Sequence, residues 1–142
     1  MEQGRTVIAH TMKSTMQVGN SAEVVFIVTD AMQPRFNGNI VHAVCSTWDL
    51  AHQFELAARA ALVPHLEDHE EGIGSHLSID HCAPAPLNRE VVVRATVTKI
   101  DETTVVCAME GKCGESTIAT GEQIQRIFPI EIVKQIIANA SE

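Results

Sequence analysis

The segment STWDLAHQFELAARAALVPHL, residues 46 to 66, limits what this chain can become more than any other stretch. It is rich in Ala and Leu, which lose little on becoming helical, and it runs into Pro64, so a helix of about four turns is expected. Its apolar residues, from Leu50 and Phe54 through Leu56, Ala57, Ala60 and Leu62, nearly encircle it. A helix of that kind is expected to be wrapped by other structure.

The wrapping has to come from strands. A β-rich run from about Ala22 to Thr29 precedes the helix and is followed by a break at Pro34 and the turn pair Asn37-Gly38. After a charged loop, HLEDHEEG, β signals dominate near residues 73–82, 90–100, 103–110 and 116–128, broken at APAPLN, DE and GKCG. Short connections of this sort join antiparallel neighbours. The last stretch, PIEIVKQIIANASE, places Pro129 at a first helical position and Ile130, Val133, Ile136 and Ile137 to one side, which predicts a short amphipathic helix packing on the domain. One strand, one long helix and a run of strands make an α+β domain spanning residues 1–142, in which one sheet wraps one helix. Such a sheet leaves an edge that a second copy would hide.

The totals exclude several functions. A net charge of −8 and a single Trp, four Phe and no Tyr leave neither the basic surface nor the stacking platform that nucleic acid needs. Cys45, Cys82, Cys107 and Cys113 form no CxxC pair and no zinc spacing, so they read as reduced thiols. MEQGRTVIAH lacks the apolar core of a signal peptide, and no apolar run is long enough for a membrane helix. A soluble, cytoplasmic protein is expected. His65 and His69 have a spacing a metal can use on a helix, but they lie in an acidic run after Pro64, and no metal site is expected there. Gly72 and Gly74 belong to no nucleotide-binding fingerprint, and a G-x-S-x-G elbow is absent.

Three polar residues carry candidate chemistry. In GIGSHLSIDHCAPAP, period-two reading groups Ile73, Ser75, Leu77, Ile79 and His81 on one face and Gly74, His76, Ser78, Asp80 and Cys82 on the other. His81 thus points with the aliphatic residues, either as a satisfied core histidine or as a catalytic imidazole. Glu55 sits between Phe54 and Leu56; it either pairs with Arg59 four residues on or works as an acid or base. Ser46 and Asp49 have capping-box spacing, but Asp49 is the alternative N-cap. We favour the later start, which leaves Thr47 in the turn leading into the helix and free to fold toward a ligand; inside a straight helix it would stand about 12 Å from Glu55 along the axis.

Thr47, Glu55 eight residues later, His81 twenty-six further on and Gly74 seven before the histidine together resemble the hotdog-fold thioesterases of the fluoroacetyl-coenzyme A thioesterase type. The similarity runs from about Met16 to Phe128. It implies a hotdog fold, with a curved antiparallel sheet around one long helix, and a homodimer or higher oligomer with an active site at each end of the shared interface. The reaction it implies is hydrolysis of an acyl-CoA thioester, with no cofactor beyond the CoA of the substrate. His81 would act as acid and base, Glu55 would orient it and a water or attack the carbonyl itself, Thr47 would be nucleophile or polar relay, and the Gly74 N–H would meet the oxyanion. The family's gating phenylalanine falls opposite Val41, its neighbour opposite Cys45, and a pocket arginine opposite Gln125, with Arg126 on the other face of the strand. A short or medium acyl group other than fluoroacetyl is therefore expected. In an acidic chain the CoA phosphates need local cations, for which Arg35, Arg89 and Arg94 are candidates. The rivals are a non-catalytic acyl-CoA binding module and an acyl-CoA hydratase or dehydratase; the latter calls for an Asp and a His five apart, whereas Asp80 and His81 are adjacent.

Overall fold

The computed structural model describes residues 12–141. The N-terminal stretch read above for a signal peptide lies outside them. Strand β1 (Ser21–Ile27) leads to a small hairpin of β2 (Arg35–Phe36) and β3 (Asn39–Ile40), then to helix α1 (Thr47–Leu62). Four long strands follow, β4 (Glu70–His81), β5 (Glu90–Ile100), β6 (Thr104–Cys113) and β7 (Ser116–Pro129), and helix α2 (Ile130–Ala140) closes the chain. The five long strands form one antiparallel sheet in the order β1-β5-β6-β7-β4. This is the α+β hotdog arrangement that the alternation and the single helix imply. Asn37 and Gly38 form the turn between β2 and β3, with φ of 54° and 82°, the left-handed pair that a two-residue hairpin needs.

The helix lies on one face of the sheet. Val91, Val93, Ala95 and Val97 of β5 alternate inward with Val105, Cys107 and Met109 of β6, and Leu50, Phe54, Ala57, Ala58, Ala61 and Leu62 of α1 close over them. Phe54 is fully buried because the sheet makes room for it: a Cβ on Gly111 would lie 3.4 Å from its ring and one on Gly121 3.0 Å. That fit fixes the height and rotation of α1 over β6 and β7, and with it the position of the adjacent Glu55.

Three expectations change. Within one chain α1 is covered on one face only; Trp48, Leu56 and Ala60 stay exposed, because the sheet curves over a single side. Helix α2 starts after Pro129, which is its N-cap rather than its first residue; it touches β4 and β7, and its Ile130 N–H donates to the His69 carbonyl at 2.7 Å, but none of its residues is fully buried. The charged loop is shorter than expected: β4 already begins at Glu70, whose buried carboxylate accepts a hydrogen bond from the Glu67 N–H at 2.8 Å.

Strand β4 also breaks its own period. A bulge between Gly74 and His76 sets Gly74 opposite the inward-facing Gln125 and then places Leu77, Ile79 and His81 opposite Gln123, Gly121 and Ala119. Gly74 and His81 consequently share the helix-facing side, and Ile73, opposite the exposed Arg126, turns outward. The period-two grouping is corrected because one extra residue, Ser75, reverses the alternation.

Candidate active site

Helix α1 presents two separate polar groups to the sheet. At its start Ser46 is the N-cap: its Oγ accepts from the Asp49 N–H at 3.1 Å and donates to the Asp49 carboxylate at 2.7 Å. The capping box wins over the later start, since it satisfies an otherwise orphaned helix N–H and fixes the acid at once. Thr47 is therefore the first helical residue and not part of a flexible turn. Its Oγ1 shares a hydrogen bond of 2.9 Å with His81 Nδ1, from the last residue of β4. The other ring nitrogen, Nε2, is buried with no partner among the described residues. A hydroxyl and an imidazole in this contact have the geometry that a nucleophile and its base require.

Two turns along, Glu55 does not pair with Arg59. The Arg59 guanidinium reaches instead to Glu71 at 3.0 Å and to the Gly72 carbonyl at 3.4 Å. Glu55 Oε2 accepts from Gln123 Nε2 at 2.9 Å, and Gly74 of β4 stands against the same carboxylate: a Cβ there would come within 2.7 Å of Oε2 and 3.0 Å of the Gln123 amide. Glycine is what allows the carboxylate to lie on the strand. Gln123 escaped the sequence reading. The available signal was two glutamines, Gln123 and Gln125, on the inward face of a strand whose other inward residues include Ala119, Gly121 and Ile127.

Thr47 and Glu55 are thus eight residues apart in one straight helix, about 12 Å along its axis. Gly74 and His81 are seven apart in one strand, about 20 Å. One chain brings Thr47 to His81 and Glu55 to Gly74, in two clusters.

The Thr47–His81 cluster opens on a cavity of about 440 Å³ whose apolar wall is Pro34, Phe36, Val44 and Trp48. Cys45 also lines it, but burial, with Asp49 as a smaller cause, pushes its thiol up to about 11, so at neutral pH it is protonated and is not the nucleophile. Burial likewise raises Cys107 from 9.0 to about 11. The raised folded values favour the protonated thiols, so this stability is complete below pH 9.0 and is lost as pH rises toward about 11. Thermal midpoints measured across that window are expected to fall, and to fall less steeply in a Cys107→Ala variant.

The candidate phosphate ligands are placed apart. Arg35, on β2 beside the cavity, pairs with Asp30 at 3.0 Å. Arg94 pairs with Glu23 at 3.1 Å on the outer face of β5, away from the helix, and Arg89 is exposed in the turn before β5. His65 Nδ1 bonds to Thr15 Oγ1 at 2.8 Å, a structural contact. No helix of the described residues is long and apolar enough to cross a membrane.

The sequence from 28 to 131 matches the family described as FlK, fluoroacetyl-CoA-specific thioesterase. The chain belongs to the fluoroacetyl-CoA-specific thioesterase family. This family member is a thioester hydrolase of the hotdog fold. A Thermus thermophilus hypothetical protein, a thioesterase superfamily member, is 30% identical over 90% of this chain and 95% of its own, with a TM-score of 0.86. The fluoroacetyl-CoA thioesterase FlK itself is 19% identical over 89% and 98%, TM-score 0.79, and a hot-dog-like protein from Thermanaerovibrio acidaminovorans 20% identical over 87% and 91%, TM-score 0.80; both show the shared fold. No curated protein sequence matches it.

Proposed function

We propose that this family member hydrolyses an acyl-CoA thioester at a site shared between two copies of the chain. The observation that carries the reading is the division of the four candidate residues into a Thr47–His81 pair and a Glu55–Gly74 pair. Strand β4 is an edge of the sheet, and its residues 74–78 are exposed. Antiparallel pairing of two β4 strands about a two-fold axis between Leu77 and Ser78 sets Gly74 of each copy opposite His81 of the other. Each site then holds Thr47 and His81 from one copy and Glu55, Gln123 and Gly74 from its partner. The same pairing covers the exposed edge and the exposed side of α1 carrying Leu56.

The chemistry follows from the roles these groups can hold. His81 accepts the proton of the attacking hydroxyl, that of Thr47 or of a water that Glu55 holds, as the oxygen closes on the thioester carbon. The C–S bond then breaks, and the imidazolium returns the proton to the leaving CoA thiolate. Water attack gives the carboxylic acid directly, whereas Thr47 attack leaves an acyl-threonine ester that a second water, deprotonated by the freed His81 imidazole, hydrolyses to the acid with the Thr47 hydroxyl restored. Negative charge on the carbonyl oxygen is met by the Gly74 backbone N–H, where the missing side chain permits close approach. Gln123 donates to Glu55 from buried surroundings and fixes its orientation. Support also comes from mutants of FlK, solved with acetyl-CoA and with fluoroacetate and CoA on this fold.

The direct test is thiol release from a panel of acyl-CoA esters. Turnover of at least one short or medium ester is expected; if every ester is inert, a binding module fits the protein better.

A further inference from the structure

The cavity at Thr47 and His81 has walls that the hydrolytic steps do not use. Phe36 from β2 and Trp48 from the first turn of α1 meet edge to face, with ring centroids 5.8 Å apart and planes at 88°. Both remain half exposed, at 56% and 51%, although neither is required by the core of the domain. Their backbone supports are well fixed: the Asn37-Gly38 turn joins β2 to β3, Val41 N–H donates to the Pro34 carbonyl at 3.1 Å, and Ser46 N–H donates to the Met32 carbonyl at 2.7 Å. The hairpin is thereby tied to the N-cap of the helix, and the two rings hold their places beside the reactive pair.

Which end of an acyl-CoA belongs here is decided by charge and size. Among the described residues no Lys or Arg lines the cavity, so they offer the phosphates no cation within it. At about 440 Å³ the cavity is in the range that holds whole small ligands. A two-carbon acyl group, about the size of two waters or roughly 60 Å³, would leave most of it wet. An aromatic ring, which a cavity of about 150 Å³ already accommodates, would displace more of that water and find two further rings to contact, with the edge-to-face or offset geometry that such groups prefer.

We infer that Phe36 and Trp48 are specificity-determining residues that form the acyl wall of the site, and that the favoured substrate carries a bulky apolar acyl group with an aromatic ring. The inference rests on the reading of Thr47 and His81 as the thioester end. The aromatic wall of this chain thus comes from the hairpin and the first helical turn.

Trp48 is the single tryptophan of the chain, so its emission reports on this wall directly. The experiment titrates the His81→Ala protein with phenylacetyl-CoA, acetyl-CoA and free CoA while following that emission, and measures thiol release by the wild type from the two esters in parallel. Phenylacetyl-CoA is expected to give a saturable change with an apparent Kd at least about tenfold below that of acetyl-CoA, with no response to CoA at the same concentrations. The preference should disappear in a Phe36→Ala, His81→Ala double variant and persist when the remote, exposed Val25 is changed to Thr. An unchanged Trp48 emission while the wild type hydrolyses phenylacetyl-CoA would overturn the wall and leave the hydrolase standing. So would equal affinity for the two esters. The expected emission response with no thiol release from any ester would uphold the wall and remove the hydrolase, and silence in both measurements would remove both.

Discussion

Replacing His81 by Ala is expected to lower thioester hydrolysis by about 10²- to 10⁴-fold, the usual worth of a positioned proton-transfer group. Glu55→Ala is expected to reach at least the lower end of that range. Neither loss should come from unfolding. His81 closes the last position of β4 and is only half-buried, while Glu55 is exposed in the single chain and its carboxylate bonds to Gln123. Circular dichroism melts and light scattering should thus show wild-type folding and assembly beside the kinetic loss. Robust turnover in both variants would mean that the site lies elsewhere.

Gly74→Ala is expected to cost about 10²-fold, the penalty for moving a catalytic group by about 1 Å. The new methyl would sit 2.7 Å from Glu55 Oε2 and 3.0 Å from Gln123 Nε2, so the carboxylate and its amide must both retreat. The atoms in the way are the ends of two flexible side chains, and Gly74 does not have positive φ, so the strand itself tolerates alanine. A fall in kcat with a near-native melting temperature is the expected signature. Gln123→Leu acts on the same carboxylate, and the two changes together should cost less than the sum of their separate effects. A fully active Gly74→Ala protein would show that the position of Glu55 against β4 is irrelevant to the chemistry.

Much of the scaffold was legible because it obeys simple periods. The Ala- and Leu-rich stretch up to Pro64 became α1, and alternation located β5 and β7 to within a residue of their observed ends. The departures have physical causes that one-dimensional patterns do not carry. Ser75 inserts a bulge, so the face shared by Gly74 and His81 cannot be counted from residue parity. Alanines such as Ala60 fit a buried or an exposed face equally well, which is why α1 looked encircled and is covered on one side. The helix start balanced two side-chain caps, and only the observed Ser46–Asp49 hydrogen bonds decide it. At the site, the motif spacing identified Thr47 and His81, which do meet. It carried no information on Gln123, whose role depends on a contact across 68 residues of sequence. Nor did it show that Glu55 and Thr47 occupy different turns of one straight helix and so need separate partners.

The shared site has a stringent test in mixed dimers. Co-expressing Glu55→Ala and His81→Ala chains under separate tags, and isolating the population after free exchange, yields mixed dimers with one intact and one doubly defective site. Activity should recover to about a quarter of wild type, since about half the dimers are mixed and each keeps one of two sites. Mixtures that contain both tags in one dimer yet stay as inactive as either parent would contradict the account, because a site built wholly within one chain cannot be repaired by a partner that lacks the other residue.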